Sequence, residues 1–206
     1  MHDLLEQSTG QRLDLDSYIS DFDSRFWGIG GQGCWKLECL QNYQETGFPS
    51  WEAFLAGDWP GALRLIEELR PEFEQYYHRA AASGFGLHRV RVLRRPVSPY
   101  VQWELEVLNV RSQCGEDSVV LDSGRARPDL ADLPDLAGLP DVVVLGTQAA
   151  YRVHYSGDGS PDGATLFTAP EVVRGAREFI QRLHRSGERL AAYYAREIAA
   201  LDAPHR

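Results

Sequence analysis

The residues between Arg89 and Glu104 include three kinds of side chain that could build a polar site. Arg89 and Arg91 alternate along one face of a predicted strand, and Tyr100 and Glu104 follow four residues apart. A guanidinium binds anions, a carboxylate accepts hydrogen bonds from an amine or hydroxyl, and a phenol contacts both. If burial raised its pKa, Glu104 could also transfer protons.

The segment beginning at Ser98 decides whether these side chains meet. Its valines and aromatic residues alternate as in a strand, "VQWELEVLNV". Ser98, however, is a preferred residue for capping a helix, and Pro99 would then occupy the first helical turn, where its missing N–H costs nothing. We favour the helix, which puts Tyr100 and Glu104 on one face, one turn apart.

Two interpretations of this cluster stay open. In the structural one, Arg91 and Glu104 form an ion pair near the sheet edge, and Tyr100 packs over it. In the functional one, the side chains bind a small polar ligand. The candidate ligand-binding residues are Arg89, Arg91, Ser98 and Glu38.

An enzymatic alternative uses the same region for group transfer in specialised metabolism. Glu104 and Tyr100 would be catalytic, and Ser98 or Cys34 would be the nucleophile. No serine lies in a nucleophile-elbow context, and no histidine lies nearby in sequence to activate one. A non-catalytic accessory protein that binds a small molecule or a partner is therefore the favoured prediction.

Composition limits the other classes of function. The formal net charge of -9 disfavours direct nucleic-acid binding, which needs a basic surface. No window is apolar enough for a membrane span, and no signal peptide is visible. The three cysteines and six scattered histidines form no metal-binding spacing, and no cofactor is predicted. These features together predict a cytoplasmic protein.

The elements that must position the cluster predict a single α+β domain over 1–206. We expect an antiparallel sheet of five or six strands, packed by a helix that is kinked or started a second time at Pro71 and by a long C-terminal helix. Residues 1–33 would form an N-terminal helix and a glycine-rich segment, which lacks the strand-before, helix-after context of a dinucleotide loop. Residues 169–206 would form a helical segment that could extend from the core and offer a dimer or partner surface.

Several motifs resemble, in the same order, the actinobacterial family catalogued as domain of unknown function 6879. They include "WKLECL", "RVRVLRRPVSPYVQWELE" and "GEDSVVLD", and the resemblance covers roughly residues 33–180. It implies a small intracellular α+β domain, often associated with helix-turn-helix regulators, and it supplies no activity. Gln102 departs from the arginine expected there. The resemblance therefore favours a regulatory role with such a regulator as partner, and the C-terminal segment offers a second copy of the chain as the other candidate partner.

Overall fold

One mixed sheet organises the computed structural model, which describes residues 2–125, 128–131 and 136–204. Within those residues it has eight strands, in the order β1-β7-β6-β5-β2-β3-β4-β8. The strands are β1 Gln11–Leu13, β2 Cys34–Glu38, β3 Leu87–Leu93, β4 Asp117–Asp122, β5 Val142–Leu145, β6 Ala149–Tyr155, β7 Pro161–Phe167 and β8 Glu188–Arg189.

The predicted α+β class with a mostly antiparallel sheet is confirmed, but the prediction of five or six antiparallel strands differs from the structure in strand number and in the direction of two pairs. The two strands it missed, β1 and β8, have three and two residues, too few to produce a recognisable alternation. In addition, β2, β3 and β4 run parallel, while the remaining pairs are antiparallel. The parallel pairs arise because helices connect these strands, and a helical crossover returns the chain in the same direction.

Helices cover both faces of the sheet. They are α1 His2–Glu6, α2 Leu15–Phe26, α3 Pro49–Leu55, α4 Trp59–Glu68, α5 Arg70–Ala82, α6 Pro99–Cys114, α7 Pro170–Ser186 and α8 Leu190–Glu197. The predicted interruption at Pro71 is confirmed: the chain forms two helices, and Pro71 lies in the first turn of α5, where its missing N–H is tolerated.

The C-terminal segment lies on the core rather than extending from it. The apolar stripe of α7 packs against the sheet, with Ile180 and Leu183 fully buried. After a break at Gly187, α8 packs beside α6 and buries Leu190 and Tyr193. The buried side chains of the segment predicted as a partner surface are thus covered within the chain.

The segment after Ser98 is a helix, as predicted. The hydroxyl of Ser98 accepts a hydrogen bond from the backbone N–H of Val101 at 3.2 Å, and Pro99 begins α6. The apparent strand alternation has a different cause: most of α6 is buried, so apolar residues occur around much of its circumference.

We expect Ser98→Ala to lower the free energy of unfolding by about 1 kcal/mol, because the first turn of α6 loses its cap. Urea unfolding measures the change. Ser20→Ala is the matched control, since Ser20 is exposed within α2. An equal loss in both variants would contradict the capping role.

Strands β2 and β3 have chemically different faces. On the α7 side, Leu37 and Val90 join the apolar core. Toward α6, the alternate positions carry charged side chains. These are Lys36, Glu38, Arg89 and Arg91. The sheet therefore presents a partly buried charged layer beneath α6.

Candidate functional site

A hollow of about 370 Å³ lies between this charged layer and α6. Its charged lining residues are Lys36, Glu38, Glu45, Arg89, Glu104 and Arg111. Its aromatic lining residues are Tyr43, Phe48, Phe73, Trp103 and Tyr155. Small-molecule sites are concave and lined largely by apolar and aromatic side chains with a few polar groups. This hollow has the aromatic walls and carries more charge than such sites usually do.

Arg91 lies behind the hollow and supports it. Its Nε donates to the Glu104 carboxylate at 2.8 Å, and Nη1 donates to the Val92 carbonyl at 3.0 Å. The guanidinium is fully buried, and its Nη2 has no hydrogen-bond partner among the described residues. Arg91 therefore holds Glu104 in place and is not itself accessible to a ligand.

Glu104 has an unusual electrostatic environment for a paired carboxylate. Burial raises the pKa of Glu104 to about 7, although the neighbouring Arg91 charge acts to lower it. Its side chain is 9% exposed and lines the hollow. A carboxyl group with this pKa can accept or donate a proton near neutral pH.

Arg89 lies at the centre of a second ion-pair network. Its Nε and Nη2 donate to the two carboxylate oxygens of Glu116 at 3.0 Å each, and Nη1 contacts the carboxylate of Glu38. Burial acts to raise the pKa of Glu116, but the charges of Arg89 and Arg111 outweigh it and hold that pKa well below its usual range. The network fixes Arg89 and Glu38 at the wall of the hollow.

Lys36 is the only lysine in the chain. It lies on β2 at the hollow, half-buried, and makes no ion pair or hydrogen bond with any residue that the structure describes. Burial lowers the pKa of Lys36, and the nearby Arg89 charge lowers it further. An ammonium in this position would be stabilised by an anion.

The structure separates the predicted site residues. Glu38, Arg89 and Glu104 line the hollow, whereas Arg91 lies behind it. Tyr100 is buried outside the hollow, and its hydroxyl donates to Glu45 at 3.0 Å. The Arg91–Glu104 ion pair of the structural interpretation is therefore present, and three of the candidate site residues line one hollow.

Neither candidate nucleophile lines the hollow. The hydroxyl of Ser98 is used as the cap of α6. Cys34 is completely buried, and burial raises the pKa of its thiol to about 11, which disfavours the reactive thiolate.

Sequence reasoning missed Lys36, Glu45 and Arg111. Lys36 lies two residues before Glu38 on the same strand, so strand periodicity places the two side chains on one face. Arg111 lies seven residues after Glu104 and therefore on the same face of α6. No local pattern indicated Glu45, which lies in the loop before α3.

Together, the fold and site define an α+β domain with a charged hollow between a mixed sheet and one helix. Residues 20–195 match the family described as Domain of unknown function (DUF6879), and the chain belongs to that family. The match extends beyond the segment on which the resemblance was recognised. No curated protein and no solved structure matches the chain.

Among the helices of the described residues, none has the length and apolar character needed to cross a bilayer.

Proposed function

We propose that this chain is a small-molecule-binding accessory domain whose ligand carries an anionic group. The observation that carries the proposal is Lys36, the single lysine, which contributes a positive charge to the hollow without a partner among the described residues. A half-buried cation interacts more strongly with a ligand anion than a surface lysine does, because water screens the pair less.

The pairing of charges around the hollow supports an anionic ligand, because Lys36 is the lining cation without an ion pair among the described residues. Arg89 is paired with Glu38 and Glu116, and Arg91 is paired with Glu104. Arg111 lies 3.8 Å from Glu116 and donates to the hydroxyl of Tyr77. After these pairings, the charge of Lys36 and the carboxyl group of Glu45, which among the described residues accepts only from Tyr100, are left over.

The carboxyl and aromatic residues of the lining indicate which groups the ligand carries besides its anion. The carboxyl groups of Glu45 and Glu104 can accept hydrogen bonds from an amine or hydroxyl, and Phe48, Phe73 and Trp103 offer apolar surface to a ring. The volume is near the lower end of the range for ligand pockets, about 300–1,000 Å³. An aromatic amino acid, an aromatic hydroxy acid or a nucleoside monophosphate has the required combination of groups.

A thermal-shift screen with these three classes tests the proposal. At about 100 times its Kd, a ligand should raise the free energy of unfolding by about 2.7 kcal/mol. Lys36→Met should remove most of this gain, because the anion loses its counter-charge. Glu104→Gln should weaken ligands that donate a hydrogen bond there.

Glu106→Gln is the matched control for Glu104→Gln. Glu106 is on the same helix, but its carboxylate accepts from Tyr194 away from the hollow. Full stabilisation of the Lys36→Met variant by the same ligand, or no stabilisation of the wild type by any of the three classes, would refute the proposed site.

A group-transfer enzyme is the second candidate, favoured by the pKa of about 7 at Glu104. Glu104 would transfer the proton, and Tyr100 would act only through Glu45. Turnover of a ligand found in the screen, lost in Glu104→Gln and retained in Glu106→Gln, would establish it.

A regulatory role in an actinobacterial-type cytoplasm belongs to the same proposal. The family resemblance suggests a helix-turn-helix regulator as partner, and a second copy of the chain is the other candidate. Size-exclusion chromatography with light scattering, in the presence and absence of a screened ligand, distinguishes a homodimer from a monomer. A purified regulator added to the same experiment tests ligand-dependent association.

A further inference from the structure

Three side chains that are far apart in sequence converge on the opposite face of the sheet from the hollow. His88 is on β3, Asp117 begins β4, and His184 lies in the last turn of α7. Parallel pairing places His88 directly opposite Asp117 on the neighbouring strand. We propose that these three residues bind a divalent transition-metal ion of the Zn²⁺ type.

The distances fit a metal centre, provided that His184 Nε2 gives up the hydrogen bond that it donates to the backbone carbonyl of Asp117 at 3.1 Å. His88 Nδ1 lies 3.0 Å from Asp117 Oδ2, and His184 Nε2 lies 3.4 Å from the same oxygen. The three candidate ligand atoms all lie within 4.8 Å of one another. Zn²⁺ bonds to nitrogen and oxygen are about 2.0–2.2 Å long, so tetrahedral ligands lie about 3.3 Å apart.

The donor set has the chemistry of a transition-metal site. Two imidazoles and one carboxylate suit Zn²⁺ and its neighbours better than they suit Mg²⁺ or Ca²⁺, which prefer oxygen ligands. Three protein ligands leave a fourth position for water. Bound there, the ion would attach the end of α7 to β3 and β4.

The residues around the cluster hold the two imidazoles in place and leave room for an ion to enter from solvent. Trp35 stacks on His88 with ring centroids 3.9 Å apart and meets the ring of His184 edge-on at 5.5 Å. The side chains of His88, Asp117 and His184 are 24%, 32% and 13% exposed, so an ion can reach them from solvent.

Arg189 is the competing charge at this cluster. Its guanidinium contacts Asp117 Oδ1, the carboxylate oxygen that faces away from the two imidazoles. The arginine side chain is 73% exposed, so it can move away as an ion binds. We therefore expect Arg189→Gln to lower the Kd for the metal.

Titration of the purified full chain with Zn²⁺ or Co²⁺ tests the inference. Zn²⁺ should raise the melting temperature of the wild type, and Co²⁺ should give visible d–d absorption that saturates at one ion per chain. Asp117→Asn and His184→Gln should each weaken binding by more than the roughly 10–100-fold that follows loss of an outer partner.

The matched control is His154→Gln. His154 contacts Thr165 away from the cluster, and its replacement should leave the titration unchanged. Circular dichroism of each variant without metal verifies that it is folded. Absence of both the thermal shift and the absorption in the wild type would overturn the proposal, as would an unchanged Kd in folded Asp117→Asn and His184→Gln. Because the cluster and the hollow lie on opposite faces, neither result bears on ligand binding at Lys36.

Discussion

Replacing Arg91 with methionine should lower the free energy of unfolding by about 3–5 kcal/mol above pH 7, because buried Glu104 must then either stay ionised without its partner or take up a proton. Arg91 is fully buried and makes the only ion pair of Glu104 among the described residues. Urea unfolding at about pH 8 measures the loss. The exposed pair of Arg64 with Glu68 supplies the control: Arg64→Met should cost at most about 1 kcal/mol.

A second substitution should reverse this loss. In Arg91→Met with Glu104→Leu, both charges are replaced by apolar groups, and such replacements are often neutral or stabilising. The double variant should therefore approach or exceed the wild-type stability. If it is no more stable than Arg91→Met alone, loss of packing rather than an unpaired charge explains the effect.

The loss of stability in Arg91→Met should depend on pH in a definite direction. Because burial raises the pKa of Glu104 to about 7, the folded wild type retains that proton as pH rises through the usual carboxyl range. Loss of Arg91 raises this pKa further, since an attractive charge is removed. Glu104 is then neutral in both proteins near pH 5, and the difference in stability should be smaller there than above pH 7.

Glu116→Gln should have the second large effect, also about 3–5 kcal/mol near neutral pH. The substitution removes one of the two carboxylates that hold the buried Arg89, together with a hydrogen bond from Ser118. Equilibrium unfolding provides the measurement. Glu72→Gln, at an exposed position in α5, is the matched control and should change stability by less than about 0.5 kcal/mol.

At acid pH, the difference in unfolding free energy between the wild type and Glu116→Gln should become smaller. The folded-state pKa of Glu116 is held far below its usual value of 4.5, so the carboxylate stabilises the fold above that pH. This stabilisation is lost as pH falls through the folded-state pKa. A difference in stability that stays constant from neutral pH down to about pH 2 would contradict a charge-based role for Glu116.

Local rules predicted the elements that have strong local signals. Ser98 and Pro99 correctly predicted the start of α6, and Pro71 correctly predicted the division between α4 and α5. The parallel direction of β2, β3 and β4 could have been predicted, because helices connect each pair of consecutive strands. Very short strands such as β8 exist only through tertiary pairing with β4, which no local pattern reveals.

Site residues were predictable where strand periodicity placed them. Arg89 and Glu38 lie near one another because alternate residues of the paired strands β2 and β3 share a face. The depth of Arg91 and the partner of Tyr100 depend on how the loop before α3 folds over the sheet, and Glu45 belongs to that loop. The cluster of His88, Asp117 and His184 likewise required the docking of α7.

The most direct test of the hollow uses the uniqueness of Lys36. Reductive ¹³C-methylation labels this one side chain and the terminal amine, so NMR can follow a single lysine through a pH titration. We expect the pKa of Lys36 to lie below its usual value of 10.5, because the group is buried and lies beside Arg89. An anionic ligand that stabilises the protein should shift the resonance and raise that pKa, since a nearby negative charge favours the ammonium. A lysine that titrates at its usual value, and does so unchanged with every aromatic amino acid, hydroxy acid and nucleotide tested, would contradict an anion site in the hollow.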